Sequence, residues 1–259
     1  MTAKRADKQV AALAKLAKVA EKIDRRVGAT SAKLPERVPY PDLPTKGQLL
    51  SAQRWQSLLW SIDSAAQYGP DALRGLTIAL SRVIQGECLD TLLFDAREHR
   101  SPDFDPKSPL WDPKFPLNAA GQKLDDLIVR KKKAIRVKLE DAAVFPHAWE
   151  RWRLHGALGN MGKGRPWKAF RQSENHLGIG WWPWPIVMIW NGNHSTLAAQ
   201  LRGGGKLTCE ETYDFSPVLR AVRTDGAQWY RVDDGSSLGA VESMAMAGIF
   251  VIGQRLLDA

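Results

Sequence analysis

The sequence predicts an α+β protein, with an amino-terminal helical region followed by a small mixed-sheet α/β domain. Three observations lead there. Apolar residues recur at three- and four-residue spacings through 6–27, 48–68 and 71–85, the period of a helix with one buried face. Trp184 to Trp190 is a continuous apolar run with β-branched residues, bounded by proline and Asn-Gly, as a buried strand would be. Behind it, Ser195 to Leu201 offers good helix formers and a Ser/Thr pair able to cap them, and Gly203-Gly204-Gly205 stops the helix.

Taken in order, Ala6 to Val27 is rich in Ala and Lys, and Leu13, Leu16, Ala20, Ile23 and Val27 form one narrow apolar stripe. Such a stripe suits docking on a protein partner, self-association as a short coiled coil, or packing on its own domain. Pro35, Pro39, Pro41 and Pro44 make residues 28–47 a linker, so 1–46 reads as a basic helical arm with a proline-rich tether. Residues 48–68 and 71–85 flank Gly69-Pro70 and read as a helical hairpin, which Cys88 to Phe94 extends. Five prolines between Ser101 and Pro116 mark an extended loop. A helix at about 119–133 and a short strand at Ile135 to Leu139 complete a mainly helical region, 47–145. The α/β domain, 146–259, adds strands at about 207–213, 218–223 and 228–232 and a final apolar helix at about 241–257.

With 44% hydrophobic and 25% charged residues among 259, most of the chain should fold, as one principal domain with an appended arm. No apolar run approaches the roughly 18 to 20 residues that span a bilayer, and the amino terminus lacks a signal-peptide core, so a cytoplasmic protein without membrane contact is expected. Cys88 and Cys209 are far apart and in no ligand spacing, which points to neither a disulfide framework nor a metal site. The net charge of +9 is unevenly placed: residues 1–46 carry 11 Lys/Arg against 5 Asp/Glu, and 128–172 carry 12 against 3. Basic zones of this kind attract nucleic acid or nucleotide phosphates, although a solvated surface tuned for solubility has the same composition.

The turn Asn191-Gly192-Asn193-His194-Ser195 lies between the expected strand and helix, where backbone N–H groups are unpaired and the helix dipole favours an anion. Gly192 permits a conformation that a side chain would obstruct, and His194 can hydrogen-bond a phosphate or move a proton near neutral pH. An ordinary strand-to-helix turn would use its Asn and Ser in the same places. Glu174, Asn175 and His176 form a second cluster, with Glu174 and His176 as general-base or catalytic candidates beside His194. Gly156 to Gly164 lacks the Walker spacing, since Lys163 is followed by Gly164, and reads as a flexible, lid-like loop. Trp149, Trp152 and Trp167 are interleaved with Arg151, Arg153, Arg165 and Lys168, as a base-stacking surface would be. Arg130, Lys131, Lys132 and Lys133 join Arg151, Arg153 and Lys168 as candidate nucleic-acid contacts.

The stretch from Phe170 to Gly205, FRQSENHLGIGWWPWPIVMIWNGNHSTLAAQLRGGG, resembles the core of the ParB/sulfiredoxin-like superfamily. There a strand beginning Pro-Ile-Val leads through a Gly-x-His-Arg or Gly-Glu-Arg-Arg turn into an Ala-rich helix. The resemblance covers about 35 residues and implies a nucleotide-phosphate site at Gly192, Asn193, His194, Ser195 and Thr196, with Asn191 beside it. It also implies a nucleoside triphosphate with Mg2+ as ligand, and phosphotransfer, NTPase or nuclease chemistry. Ser195 stands where the superfamily places arginine, so a balancing cation would have to come from Arg153, Lys163, Arg165 or Arg171. The substitution equally favours a non-enzymatic regulator or inhibitor of a plasmid or phage system, akin to fertility-inhibition factors and acting through protein contacts or DNA.

Overall fold

The structure is a computed structural model that describes residues 46–94 and 114–259. The helix expected at 6–27, the linker up to residue 45 and most of the proline-rich loop lie outside the described residues. The architecture is α+β, with a helical region followed by a mixed-sheet domain.

The hairpin expected at 48–85 is present as α1 (Lys46–Gln67) and α2 (Pro70–Phe94), joined at Gly69 with φ +93°. Leu73, Thr77, Ser81 and Ile84 make a buried stripe along α2. Its two hydroxyls are satisfied within the helix, Thr77 donating to the Leu73 carbonyl at 3.0 Å and Ser81 to that of Ile78 at 2.7 Å. The hairpin packs on the carboxy-terminal helix α7 (Met244–Leu257), which Ser243 caps by accepting from the Met246 N–H.

Where a helix was expected at 119–133, the chain makes one turn, α3 (Leu124–Leu127), and then extends as β1 (Val129–Lys131). Pairing with β7 (Glu211–Asp214) accounts for the difference, because it draws the exposed basic run into the antiparallel edge of a sheet. That sheet has five strands in the order β1-β7-β4-β5-β3, with β3 at Ala143–Phe145, β4 at Leu177–Trp182 and β5 at Ile186–Asn191. β4 and β5 are antiparallel; β3 runs parallel to β5, and β7 runs parallel to β4.

β5 is buried on both faces, which is why its sequence is apolar without alternation. Ile186 and Met188 enter one core with Trp55, Trp184, Phe215 and Phe250, while Val187 and Ile189 enter another with Leu154, Leu197, Ala198 and Leu207. Each such side chain stabilises the fold by about 1.5–3 kcal/mol when fully buried. The second core is closed by α4 (Arg151–Asn160), α5 (Asn193–Leu201) and a two-stranded ribbon of β2 (Ile135–Lys138) with β6 (Lys206–Cys209). Gly180 lets that ribbon lie on β4, since a Cβ there would overlap Ile135.

Two further expectations are corrected. The strand expected at 207–213 breaks at Glu210 into β6 and β7, which serve different sheets. Residues 216–221 form α6 (Ser216–Ala221) instead of starting a strand, because the Asp214 carboxylate accepts from the Ser216 N–H at 2.9 Å and Pro217 suits a first helical turn. Only then does β8 (Val222–Thr224) begin a small antiparallel sheet with β9 (Gln228–Arg231) and β10 (Ser237–Ala240).

Candidate functional site

The turn between β5 and α5 forms as its sequence suggests. Gly192 has φ +76° and occupies the cap position of α5, while the Thr196 N–H donates to the Gly192 carbonyl at 2.9 Å. Among the described residues no side chain caps the helix, so there the first-turn N–H groups keep their free valence. Gly192 is required twice over. Its φ is left-handed, and a Cβ would meet His176 Cδ2 at 2.7 Å and the Asn175 carbonyl at 2.8 Å.

The next three side chains are tied to two other segments, Asn193 and His194 to residues 147–150 and Ser195 to His176. Buried Asn193 accepts through Oδ1 from the His147 N–H at 2.7 Å. His194 accepts through Nε2 from the Glu150 N–H at 3.1 Å, which leaves the proton of the neutral ring on Nδ1. Its pKa is lowered, first by burial and then by the Arg153 charge, so His194 is neutral at physiological pH. Ser195 Oγ donates to the Gly192 carbonyl at 3.0 Å and lies 2.8 Å from His176 Nε2. His176 Nδ1 accepts from the Ser173 N–H at 3.0 Å, which places the ring proton on Nε2 and makes the imidazole the donor to Ser195.

Facing the turn is α4, and together they enclose a cleft of about 530 Å3. Trp149, Trp152 and Trp167 supply indole walls, Arg153 a cation, and Asn191 to Ser195 the polar end. Trp149 meets His194 edge to face at 4.7 Å between centroids. Arg153 is ion-paired with Glu150 and lies 5.3 Å from the Trp152 ring centroid. Trp152 and Trp167 remain 65% and 53% exposed. The part of the glycine-rich stretch expected to be a flexible loop is helical as far as Asn160, because Leu154 and Ala157 bury a face of α4. The remainder folds back, the Trp167 N–H donating to the Asn160 carbonyl at 2.9 Å and the Gly162 N–H to that of Lys168 at 2.6 Å. Those bonds hold Trp167 over the cleft.

A family model described as a family of unknown function (DUF6710) matches residues 54–259. The chain belongs to the DUF6710 family. No curated protein and no solved structure matches it significantly.

In this DUF6710 chain the structure brings together Asn191, Gly192, Asn193, His194, Ser195 and Arg153 at one cleft, with Thr196 buried one residue further along α5. His176 and Asn175 line an adjoining cleft of about 360 Å3. Glu174 is exposed on the preceding turn and lines neither; Lys163, Arg165 and Lys168 are exposed on the folded-back loop and also line neither. Arg151 donates through Nε to the Leu92 carbonyl at 3.1 Å, which ties α4 to α2. Arg130 to Lys133 lie at the sheet edge, where Lys131 pairs with Asp214 at 2.6 Å and Arg130 stacks on Tyr213. Glu150, which positions both His194 and Arg153, was not anticipated; nothing in its local sequence distinguishes it from a solvated helix start.

The donor set tests the magnesium triphosphate that the superfamily resemblance implies. Among the described residues, the walls of the tryptophan cleft carry one cation, already shared with Glu150, and no carboxylate. Among the described residues, no group of three His, Cys, Asp or Glu side chains could hold a metal ion. A magnesium triphosphate, with its large charge and need for oxygen ligands, does not fit these walls. No helix among the described residues is long and apolar enough to cross a membrane.

Proposed function

We propose that the chain binds a nucleotide, or a nucleotide unit of a nucleic acid, in the cleft between α4 and the Asn191–Ser195 turn. The base stacks on Trp152 and Trp167, and the phosphate sits at the first turn of α5, where N–H groups, the neutral His194 ring and Arg153 supply donors. One observation carries this reading: three indoles, a guanidinium and an uncapped helix amino terminus line a single cleft.

Recognition without turnover is the form of the reading that the hydrogen bonding favours. Phosphotransfer or hydrolysis through Ser195 would need His176 to accept a proton from it, yet His176 Nε2 already carries one. β5, the turn and α5 keep the strand, turn and helix order of the ParB/sulfiredoxin-like motif, and we read the chain as a distant, non-catalytic relation acting in a reducing cytoplasm.

Calorimetric titration of the full chain with AMP, CMP, GMP and UMP tests the proposal, with ATP and Mg2+ alongside. Mononucleotide binding is expected, and stacking worth about 1–3 kcal/mol per base means that Trp152→Ala weakens it about tenfold or more. His194→Ala weakens it as well. Absence of heat with every mononucleotide, or binding indifferent to Trp152→Ala, overturns the reading.

A further inference from the structure

The tryptophan cleft does not end at its own walls. Trp167 and Ser195 also line the adjoining cleft that holds His176, and that cleft in turn shares Phe170 and Arg171 with a third, of about 530 Å3. The third is basic. Arg136 and Lys138 reach it from β2, Lys206 from β6 and Arg171 from the segment between, against one carboxylate, Glu140. Lys138 is paired with Asp141 at 3.0 Å, but Arg136, Arg171 and Lys206 make no ion pair among the described residues.

The path is built rather than incidental. Gln172 ties the 170–173 segment to the edge of β6 like an added strand: its Oε1 accepts from the Thr208 N–H and its Nε2 donates to the Thr208 carbonyl, both at 2.7 Å. Phe170 lies edge to face on His176 at 4.8 Å. Beneath Phe170 the backbone is Gly205, where φ is +132° and a Cβ would come within 2.7 Å of the phenyl ring. Aromatic walls at one end, a polar middle of Asn175, His176 and Ser195, and cations at the other therefore share one continuous floor.

We infer that these three clefts form one track for a single-stranded nucleic acid, entered by a base at Trp152 and Trp167 and followed by the sugar-phosphate backbone to Arg136, Arg171 and Lys206. This rests on the nucleotide reading above and names its substrate class. A stacking platform joined to a basic groove is the pairing by which single strands are held. Arg136 and Lys206 do not line the tryptophan cleft, so a mononucleotide bound there leaves them unused; only a longer ligand engages both ends. A duplex is excluded from the first cleft because its bases are stacked on one another and would have to be flipped out to enter.

The test is a titration of the full chain with a mononucleotide, a tetranucleotide and an octanucleotide, followed by tryptophan fluorescence at several salt concentrations. Single-stranded DNA and RNA run in parallel to identify the source, with a duplex octamer as control. Affinity is expected to rise with length, by about tenfold or more from mononucleotide to octanucleotide, with about 0.7 of log-log salt slope per phosphate contact. The double variant Arg136→Ala/Lys206→Ala should remove most of that length advantage and lower the slope by about 1.4. Mononucleotide binding with no gain on lengthening, or a gain that the double variant leaves intact, overturns the track while the single-nucleotide cleft stands. Equal binding of the duplex also overturns the track. An octanucleotide bound with the expected salt slope but indifferent to Trp152→Ala leaves the basic groove and removes the stacking end, which sinks both readings together.

Discussion

His176 Nε2 lies 2.8 Å from Ser195 Oγ, and the imidazole is the donor in that contact. The Ser173 N–H occupies Nδ1, so the neutral ring holds its proton on Nε2, and the Ser195 hydroxyl donates its hydrogen bond to the Gly192 carbonyl. A serine and a histidine in contact look like half of a nucleophilic dyad. Here the direction of the hydrogen bonds makes them a brace for the turn.

Ser195 should therefore be chemically quiet. A fluorophosphonate probe is expected to leave it unlabelled in the folded protein, as read by mass spectrometry of its peptide. Ser195→Ala should cost about 0.5–1.5 kcal/mol in urea unfolding, the worth of an ordinary hydrogen bond. Stoichiometric labelling would show that His176 acts as a base after all.

Gly192→Ala should be much more damaging. A left-handed backbone costs a residue with a Cβ about 1–2 kcal/mol, and the crowding against His176 and Asn175 adds about 1–3 kcal/mol. A loss of about 2–5 kcal/mol in urea unfolding is expected. A near-neutral result would mean that the turn opens readily and that its geometry is not fixed by His176.

Stability should fall in mild acid. Burial holds the pKa of both His176 and His194 below the ordinary value of 6.5, with Arg153 adding to the effect at His194, although Glu150 also faces that ring. The unfolded chain takes up protons before the folded one. These groups thus contribute stability that is full above about 6.5 and lost as pH drops from there toward their depressed folded values. Urea midpoints measured between about pH 8 and pH 5 should decline through that window, and His194→Gln should flatten part of the decline. A wild-type profile with no slope there contradicts the assignment.

The Cys209 thiol sits in the second core, and burial pushes it up to about 12. It is expected to resist iodoacetamide in the native state and to react once the chain is unfolded. Modification of the Cys209 peptide under native conditions would mean that β6 opens locally.

The parts legible in the sequence were those whose burial pattern repeats. The hairpin could be read because Leu73, Thr77, Ser81 and Ile84 recur at helical spacing, and β5 because both of its faces enter a core. β1 could not, since it is a short, exposed strand that owes its form to β7, a partner far along the chain; β10 could not, since its four residues are mostly exposed and show no apolar alternation. Val218 and Leu219 look strand-like in isolation, and the local turn in which Asp214 accepts from the Ser216 N–H, followed by Pro217, decides otherwise. At the site, the turn was legible because its polar residues interrupt apolar surroundings, and the indoles and Arg153 because they cluster within twenty residues. The basic groove was not. Arg136, Arg171 and Lys206 lie about 35 residues apart in turn, and only the pairing of β2 with β6 and the Gln172 clamp bring them together.

Asn193, His194 and Ser195 are consecutive, yet they are fastened to two separate stretches of chain, the first two at His147 and Glu150 and the third at His176. Ordering a loop on binding costs about 0.5–1.5 kcal/mol per immobilised side chain, and here that cost has been met during folding. The mouth of α5 is thus a preorganised mould. On the nucleotide reading proposed above, its selectivity would come from refusal: a guest that needs the turn to widen is turned away, and one that fits leaves the backbone where it was.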